Sequence, residues 1–299
     1  MNIIGKKYWY LLISLIVIVP GIISLILFGL NLSIEFTGGS RLTLSFEKNV
    51  TDEQIKGIKD IFAEKKIKVS TVERSKNNVF IRTSPISEKD DVFLVKDLKK
   101  RVGDFKQSQY ETVGPTMGSE ITLNAVKALG VSSLLIVLYI TWSFRKVPKP
   151  TSSFRFGIAA IIALIHDVLL LIGVFSLLGH FFGVEIDSLF VTAVLTVIGF
   201  SVHDTIVVFD RIRENLKKVG GQDFEQTVNN SILQTLDRSF NTSFTVVLVL
   251  VAMLLFGGET IRWFVVALLI GIISGTYSSI FNAAPILVIW QDLVDRRKK

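Results

Sequence analysis

The 299-residue chain is 49% hydrophobic, with a mean hydropathy of +0.52, yet 20% of it is charged, so the charges must be segregated from long apolar runs, as in a membrane protein. It has no cysteine, which excludes disulfides and thiolate chemistry. The formal net charge of +7 and the pI near 9.5 suit anionic lipid headgroups and imply no nucleic-acid partner.

Six windows are each long enough to span a hydrocarbon core of about 30 Å, which takes roughly 20 residues. They cover residues 10–30, 121–144, 156–178, 189–209, 240–256 and 261–290, the last long enough to tilt or to continue as an interfacial helix. Lys6 and Lys7 precede the first window as they would a cleaved signal peptide. That stretch is too long for an h-region, however, and no small-x-small site follows it, so it is read as an anchor. Lys6 and Lys7, then Arg145, Lys146, Lys149 and Arg155, then Arg211, Arg213, Lys217, Lys218 and Arg238, then residues 296–299, fall on alternate loops. The intervening loops, 180–188 and 257–260, hold Glu185, Asp187 and Glu259 but no Lys or Arg. The positive-inside rule therefore places both termini in the cytoplasm.

After the first window (residues 1–30) comes one soluble domain on the outer face, residues 31–120, and then a five-helix bundle over 121–299. In the domain, RLTLSF at 41–46 alternates with period two and predicts a strand. Thr51 is an expected N-cap with Gln54 three residues on, followed by Ile55, Ile58, Ile61 and Phe62 at helical spacing. KVSTVER and NNVFIRTS read as strands around a turn at 76–78; Ser87 caps a second helix with Val92, Val95, Leu98 and Val102 on one face, and KQSQYETVG is the last strand. The order βαββαβ is the split βαβ, or ferredoxin-like, arrangement. The fold class expected is thus an α-helical membrane protein of six transmembrane helices with one extracytoplasmic ferredoxin-like domain between the first two, a fold that by itself implies no function.

There is no Walker-type phosphate loop, no metal-spaced histidine cluster and no Ser/His/Asp set, so neither enzyme chemistry nor a bound metal or cofactor is expected. GGS at 38–40 reads as a turn, and Gly220 and Gly221 as a break in a cytoplasmic helix at about 211–238. The remaining chemistry must lie among the few charged residues of the apolar windows. Asp167, beside His166, sits midway along the third; Asp204, beside His203, lies in the inner half of the fourth, about 9 Å of helix from Asp210. Arg238 marks the entry to the fifth, followed by Asn241, Thr242, Ser243 and Thr245. In the last window Gly271, Ser274, Gly275, Ser278, Ser279 and Asn282 make a small, polar stripe that lets helices approach closely and calls for a covering partner. A buried aspartate costs about 2.5–3.5 kcal/mol on insertion scales, so Asp167 and Asp204 should face the bundle interior.

Each of these residues has a plain structural reading. Asp167 can be a neutral hydrogen-bonding link between helices, and His166 and His203 can be hydrogen-bonding residues. Arg238 can snorkel to lipid phosphate. Asp210, Arg211, Arg213 and Glu214 can form a solvated helix end with i,i+3 pairs. The structural reading is weakest for Asp204, because HDTIVVFDRIREN gathers Thr205, Asp210 and Arg211 toward the same end.

Four segments, in order over nearly the whole chain, resemble the SecF family: SIEFTGGS (33–40), ETVGPTMGSE (111–120), TVIGFSVHDTIVVFDRIREN (196–215) and TLDRSFNTS (235–243). The resemblance implies a resistance-nodulation-division type bundle that pairs with a SecD subunit beside the bacterial Sec channel and its accessory membrane subunits. Such a bundle uses proton or sodium flow to help draw unfolded secretory polypeptides across. It also implies that Asp204 is the ion carrier, Arg238 its alternating partner and Asp167 part of the same path; His203, His166, Asp210 and Asn241, by their place beside these residues, are accessory candidates. Glu35 stands where the family shows Asp in its DFTGG motif, and His203 where Asn or Asp is common, which leaves the coupling ion open. Desolvation disfavours a charged carboxylate and a guanidinium favours it, so a moving Arg238 would switch proton capture and release. One charge crossing about 100 mV supplies about 2.3 kcal/mol, which the link at 34–39 would deliver to the outer domain.

Three other readings compete. An intramembrane aspartyl protease would need a glycine closer to Asp204 than Gly199. A permease for lipids or small molecules of the same superfamily normally has two large outer domains in one longer chain. A passive assembly subunit would carry no ion flux.

Overall fold

A computed structural model describes residues 2–145, 147–148, 150–218 and 223–296. The expected break at Gly220 and Gly221, and the charges of Lys146, Lys149 and residues 297–299, lie outside the described residues. The chain forms two compact units, Leu32–Val126 and Met1–Asn31 with Lys127–Lys299. The smaller unit thus extends six residues past the expected end at 120, into the helix that follows it.

In chain order, α1 (Lys7–Phe28) precedes the smaller unit's α2 (Ile34–Thr37), β1 (Gly39–Ser45), α3 (Asp52–Glu64), β2 (Val69–Ser75), β3 (Asn78–Thr83), α4 (Glu88–Val102) and β4 (Lys106–Val113). Its sheet has the order β2-β3-β1-β4 with every pair antiparallel, the expected split βαβ topology. Thr51 starts α3 by a capping box: Gln54 N–H donates to Thr51 Oγ1 (3.3 Å) and Thr51 N–H to Gln54 Oε1 (2.9 Å). Leu42, Leu44, Phe62, Ile81, Leu94 and Leu98 are fully enclosed between the sheet and the two helices. The buried face of α4 differs from expectation. It runs Asp91, Leu94, Leu98 and Val102, with Val92 68% exposed. A stripe at 91, 94, 98 and 102 keeps helical spacing equally well, and it admits a carboxylate because Gln107 Nε2 of β4 donates to both Asp91 oxygens at 3.1 Å.

The link at 34–39 does not hang free. Gly38 (φ +68°) and Gly39 (φ +132°) turn the chain through left-handed conformations, and a Cβ on Gly39 would lie 2.6 Å from the Thr83 carbonyl oxygen. The next helix, α5 (Pro115–Ser143), packs on this turn: a Cβ on Gly118 would meet the Gly38 nitrogen at 2.9 Å, and Thr122 Oγ1 donates to the Phe36 carbonyl. The segments SIEFTGGS and ETVGPTMGSE are therefore packing partners.

In the larger unit α6 (Ser153–Phe182), α7 (Ser188–Lys218), α8 (Phe224–Phe256) and α9 (Arg262–Ser278) surround a polar centre. A π-helical turn (Ser279–Ala283) and α10 (Ala284–Arg296) complete the last segment. Among the described residues six helical segments are long and apolar enough to cross a membrane: Ile4–Phe28, Pro115–Ser143, Ser153–Phe182, Ser188–Lys218, Phe224–Phe256 and Glu259–Arg296. Glycines let α1 and α6 touch backbone to backbone, since a Cβ on Gly21 would lie 2.8 Å from Gly173 Cα, and Ser24 and Ser176 hydrogen-bond one turn on (2.9 Å). Among the described residues of 211–238, no separate helix stands apart from α7 and α8. Residues 211–218 end α7 and 224–238 begin α8, tied by Asn215 Nδ2 to Ser231 Oγ (2.8 Å) and Arg211 Nε to Gln234 Oε1 (2.6 Å). Within the larger unit α5 is exposed at Val131, Leu134 and Leu138, and is held at its end, where Phe144 packs with Phe156 and Phe209.

Candidate functional site

Two aspartates lie in the interior of the helix bundle, as their cost in lipid demands: Asp167 of α6 is fully buried and Asp204 of α7 is 7% exposed. Their surroundings differ. Asp167 accepts from three hydroxyls, Ser201 of α7 (2.5 Å to Oδ2), Ser274 of α9 (2.7 Å to Oδ1) and Ser278 of α9 (2.6 Å to Oδ2). His166 Nδ1 lies 3.1 Å from Oδ1. The carboxylate is a knot that ties three helices, with both oxygens engaged.

Asp204 has one hydroxyl in full hydrogen-bond geometry, with the Ser279 hydroxyl of the last segment also beside it. Ser239 of α8 donates to Oδ1 at 2.5 Å, while the buried Oδ2 makes no hydrogen bond among the described residues. Thr205 beside it shares a hydrogen bond with Ser279 (2.9 Å), and Ser279 also reaches the Ser201 carbonyl (3.2 Å). Hydroxyls of α7 and of the last segment therefore fill the interval of about one helical turn between Ser201, which serves Asp167, and Asp204. The π turn that begins at Ser279 widens the last segment, and adjacent Ser278 and Ser279 both turn inward there. π turns recur at functional sites.

The structure does not bring the other expected residues into this centre. Arg238 and Asn241 of α8, and His203 and Asp210 of α7, are exposed. Arg238 and His203 act on Asp204 through space, not through a bond. Asp210 pairs with Arg213, whose Nη1 also donates to the Ser143 carbonyl of α5 (3.2 Å). His166 is half-buried, and its enclosed Nε2 makes no hydrogen bond among the described residues. Among the described residues no three His, Asp or Glu converge as metal ligands.

Two results depart from the sequence reading. Ser239 and Ser201, the direct partners of the aspartates, were not singled out; each stands next to or one turn from an expected site residue, but a lone serine in an apolar helix gives no signal. The small, polar stripe of the last segment needs no external cover. Gly271, Ser274, Gly275, Ser278, Ser279 and Asn282 are all buried by this chain's own helices, with Gly271 against Val197, Gly275 against Ser201 and Asn282 Oδ1 accepting from Ser14. The reason is that the last segment is central and not peripheral, and close approach to α7 requires its glycines.

A family model described as "Protein export membrane protein SecD/SecF, C-terminal" matches residues 94–293, and one described as "SecD/SecF GG Motif" matches residues 23–50, around the Gly38–Gly39 turn. A protein translocase subunit SecF of Thermobaculum terrenum is 49% identical over 302 residues, spanning 98% of this chain and 94% of that protein. A protein translocase subunit SecDF of Bacillus subtilis is 35% identical over 96% of this chain, which spans only 38% of that longer protein. The crystal structure of SecDF from Thermus thermophilus, described as a translocon-associated membrane protein, superposes with a TM-score of 0.81 at 33% identity, covering 98% of this chain and 39% of that one. With two motif-bearing regions matched and a whole-length relative at this identity, the chain belongs to the SecD/SecF family of protein-export membrane proteins, as a SecF-type translocase subunit with multiple membrane spans.

Proposed function

We propose that this subunit joins a SecD-like partner and uses an ion gradient, of protons or of sodium, to promote late steps of protein export through the Sec channel. The observation behind this reading is the contrast between the two interior carboxylates: Asp167 is saturated by three donors, whereas Asp204 keeps an unengaged oxygen in the membrane interior. A carboxylate with spare capacity can take up and release an ion; a saturated one holds helices together. Asp204 is the carrier, Asp167 anchors the other end of the hydroxyl path, and Arg238 is the charge that assists release. The exposed polar residues of α7 and α8, among them Thr196, His203, Arg238 and Asn241, are costly in lipid and form the face that the partner covers. The partner is SecD-like because this chain matches about two fifths of fused SecDF proteins. The charge pattern of the loops supports an orientation with both termini in the cytoplasm and the smaller unit outside.

The test is release of a secreted protein from inverted vesicles containing the assembled complex, with and without an ion gradient. Asp204→Asn should assemble normally and lose the gradient-dependent part of release. Gradient-dependent release at the wild-type level by a well-expressed variant would leave a passive assembly subunit as the better reading.

A further inference from the structure

We propose that Ser239 is a positioning residue for Asp204: it engages Oδ1 and so assigns Oδ2 as the oxygen that receives and returns the proton. This rests on the reading of Asp204 as the carrier. Ser239 is 2% exposed, and its hydroxyl lies 2.5 Å from Oδ1. Serine and threonine within a helix commonly turn their hydroxyls back to the carbonyl of the preceding turn, and α8 follows that habit at several positions. Thr227 bonds the Asp223 carbonyl, Ser231 that of Thr227, Thr235 that of Ser231 and Thr242 that of Arg238. Ser239, like Ser243 one turn on, reaches across to a neighbouring helix instead, Ser243 to Thr276 of α9 and Ser239 to the Asp204 carboxylate of α7.

The proton balance is simple. A proton from water forms an O–H bond at Oδ2 and neutralises the carboxylate, while Ser239 keeps its own hydrogen and its bond to Oδ1. On release the Oδ2–H bond breaks and the proton returns to water. Oδ2 is the oxygen that can do this without displacing an existing donor. The charged groups acting on Asp204 are His203 of its own helix and Arg238 of α8. The last segment presents only hydroxyls to this turn of α7, and Asp167 of α6 is enclosed by its three serines. Arg238 and Ser239 are consecutive, about 100° apart around α8, so a rotation that brings the guanidinium to Asp204 withdraws the hydroxyl. The two act as alternative donors to one carboxylate.

The experiment is infrared difference spectroscopy of the assembled complex in liposomes across a pH series, with Asp204→Asn identifying the protonated-carboxyl band. Loss of a hydrogen bond to the anion shifts proton affinity on the order of tenfold, so Ser239→Ala should move the midpoint up by about one pH unit and shift the band position. Ser239→Thr, which keeps the hydroxyl, should restore both. If Ser239→Ala does not assemble, Ser239→Cys, a weak donor of similar size, should give a smaller shift in the same direction. An unmoved midpoint and band in the assembled alanine variant, or in the cysteine variant in its place, overturns the proposal whatever the export assay shows. A titrating Asp204 that follows Ser239 as stated, together with gradient-dependent export by Asp204→Asn, would refute the carrier role and leave the positioning intact.

Discussion

Replacing Asp167 by alanine should cost more than replacing Asp204 in the same way, by an amount that follows from the donors each carboxylate serves. Truncation of Asp167 leaves Ser201, Ser274 and Ser278 with hydroxyls facing a void. Ser278 can fall back on the Gly275 carbonyl, which it already approaches at 3.2 Å, so two donors remain to be rehoused. At about 1–3 kcal/mol per buried unsatisfied group, the loss is about 2–6 kcal/mol. Truncation of Asp204 strands only Ser239, about 1–3 kcal/mol, and also removes an unpaired buried oxygen. The assay is thermal unfolding of the detergent-solubilised protein, followed by the monodisperse fraction that survives heating. Asp167→Asn, which retains one acceptor, should fall between wild type and alanine. Equal losses for the two alanine variants, or a larger one at Asp204, would refute the division into an anchoring and a labile carboxylate.

Gly173→Leu should break the contact between α1 and α6, because any Cβ there lies 2.8 Å from Gly21 Cα; a cost of at least about 1–3 kcal/mol is expected, whereas Gly130→Leu, in open space on α5, should melt like wild type. Excised residues 40–112 should fold alone, giving mixed helix and strand circular dichroism with a cooperative melt. In that fragment burial raises the Asp91 carboxyl above its ordinary 3.8, while the Gln107 bond pulls the other way. The folded state therefore binds this proton more readily than the unfolded one, and the ionised form costs stability at neutral pH. Asp91→Asn should melt higher than wild type at pH 7, and the advantage should vanish as the pH falls toward 3.8 and wild-type Asp91 gains its proton. Asp97, held low chiefly by Lys65, works in the opposite direction in both proteins and cancels in the comparison.

The order of elements was legible because each leaves a local mark: the Thr51–Gln54 capping box, the turn between β2 and β3, the long apolar windows. The interior position of Asp167 and Asp204 was legible from cost alone. Their unequal surroundings were not, since these depend on serines contributed by helices 34 to 111 residues away in sequence. The π turn at Ser279 was equally hidden, because one extra residue in a turn changes no composition. The misread face of α4 has the same origin: Asp91 looks like a surface residue until Gln107 of β4 is placed opposite.

The position of Asp204 along α7 gives the carboxylate pair its mechanical context. Ser201, one turn before it, serves Asp167, while Phe209 and Arg213, further along the same helix, meet the end of α5 through the Phe144 ring and the Ser143 carbonyl. Through most of its length within the larger unit α5 is exposed, so this end is where α7 can act on it. The first turns of α5 belong to the smaller unit, locked on the Gly38–Gly39 turn. Asp167 ties α7 at Ser201 to α6 and α9, and from Asp204 onward the helix is tied by Ser239, Gln234 and Ser231 of α8 and by Ser279 of the last segment. Asp204 thus stands on α7 between the hydroxyl ties to α6, α9 and the last segment and, a short helical distance on, the contact with the end of α5.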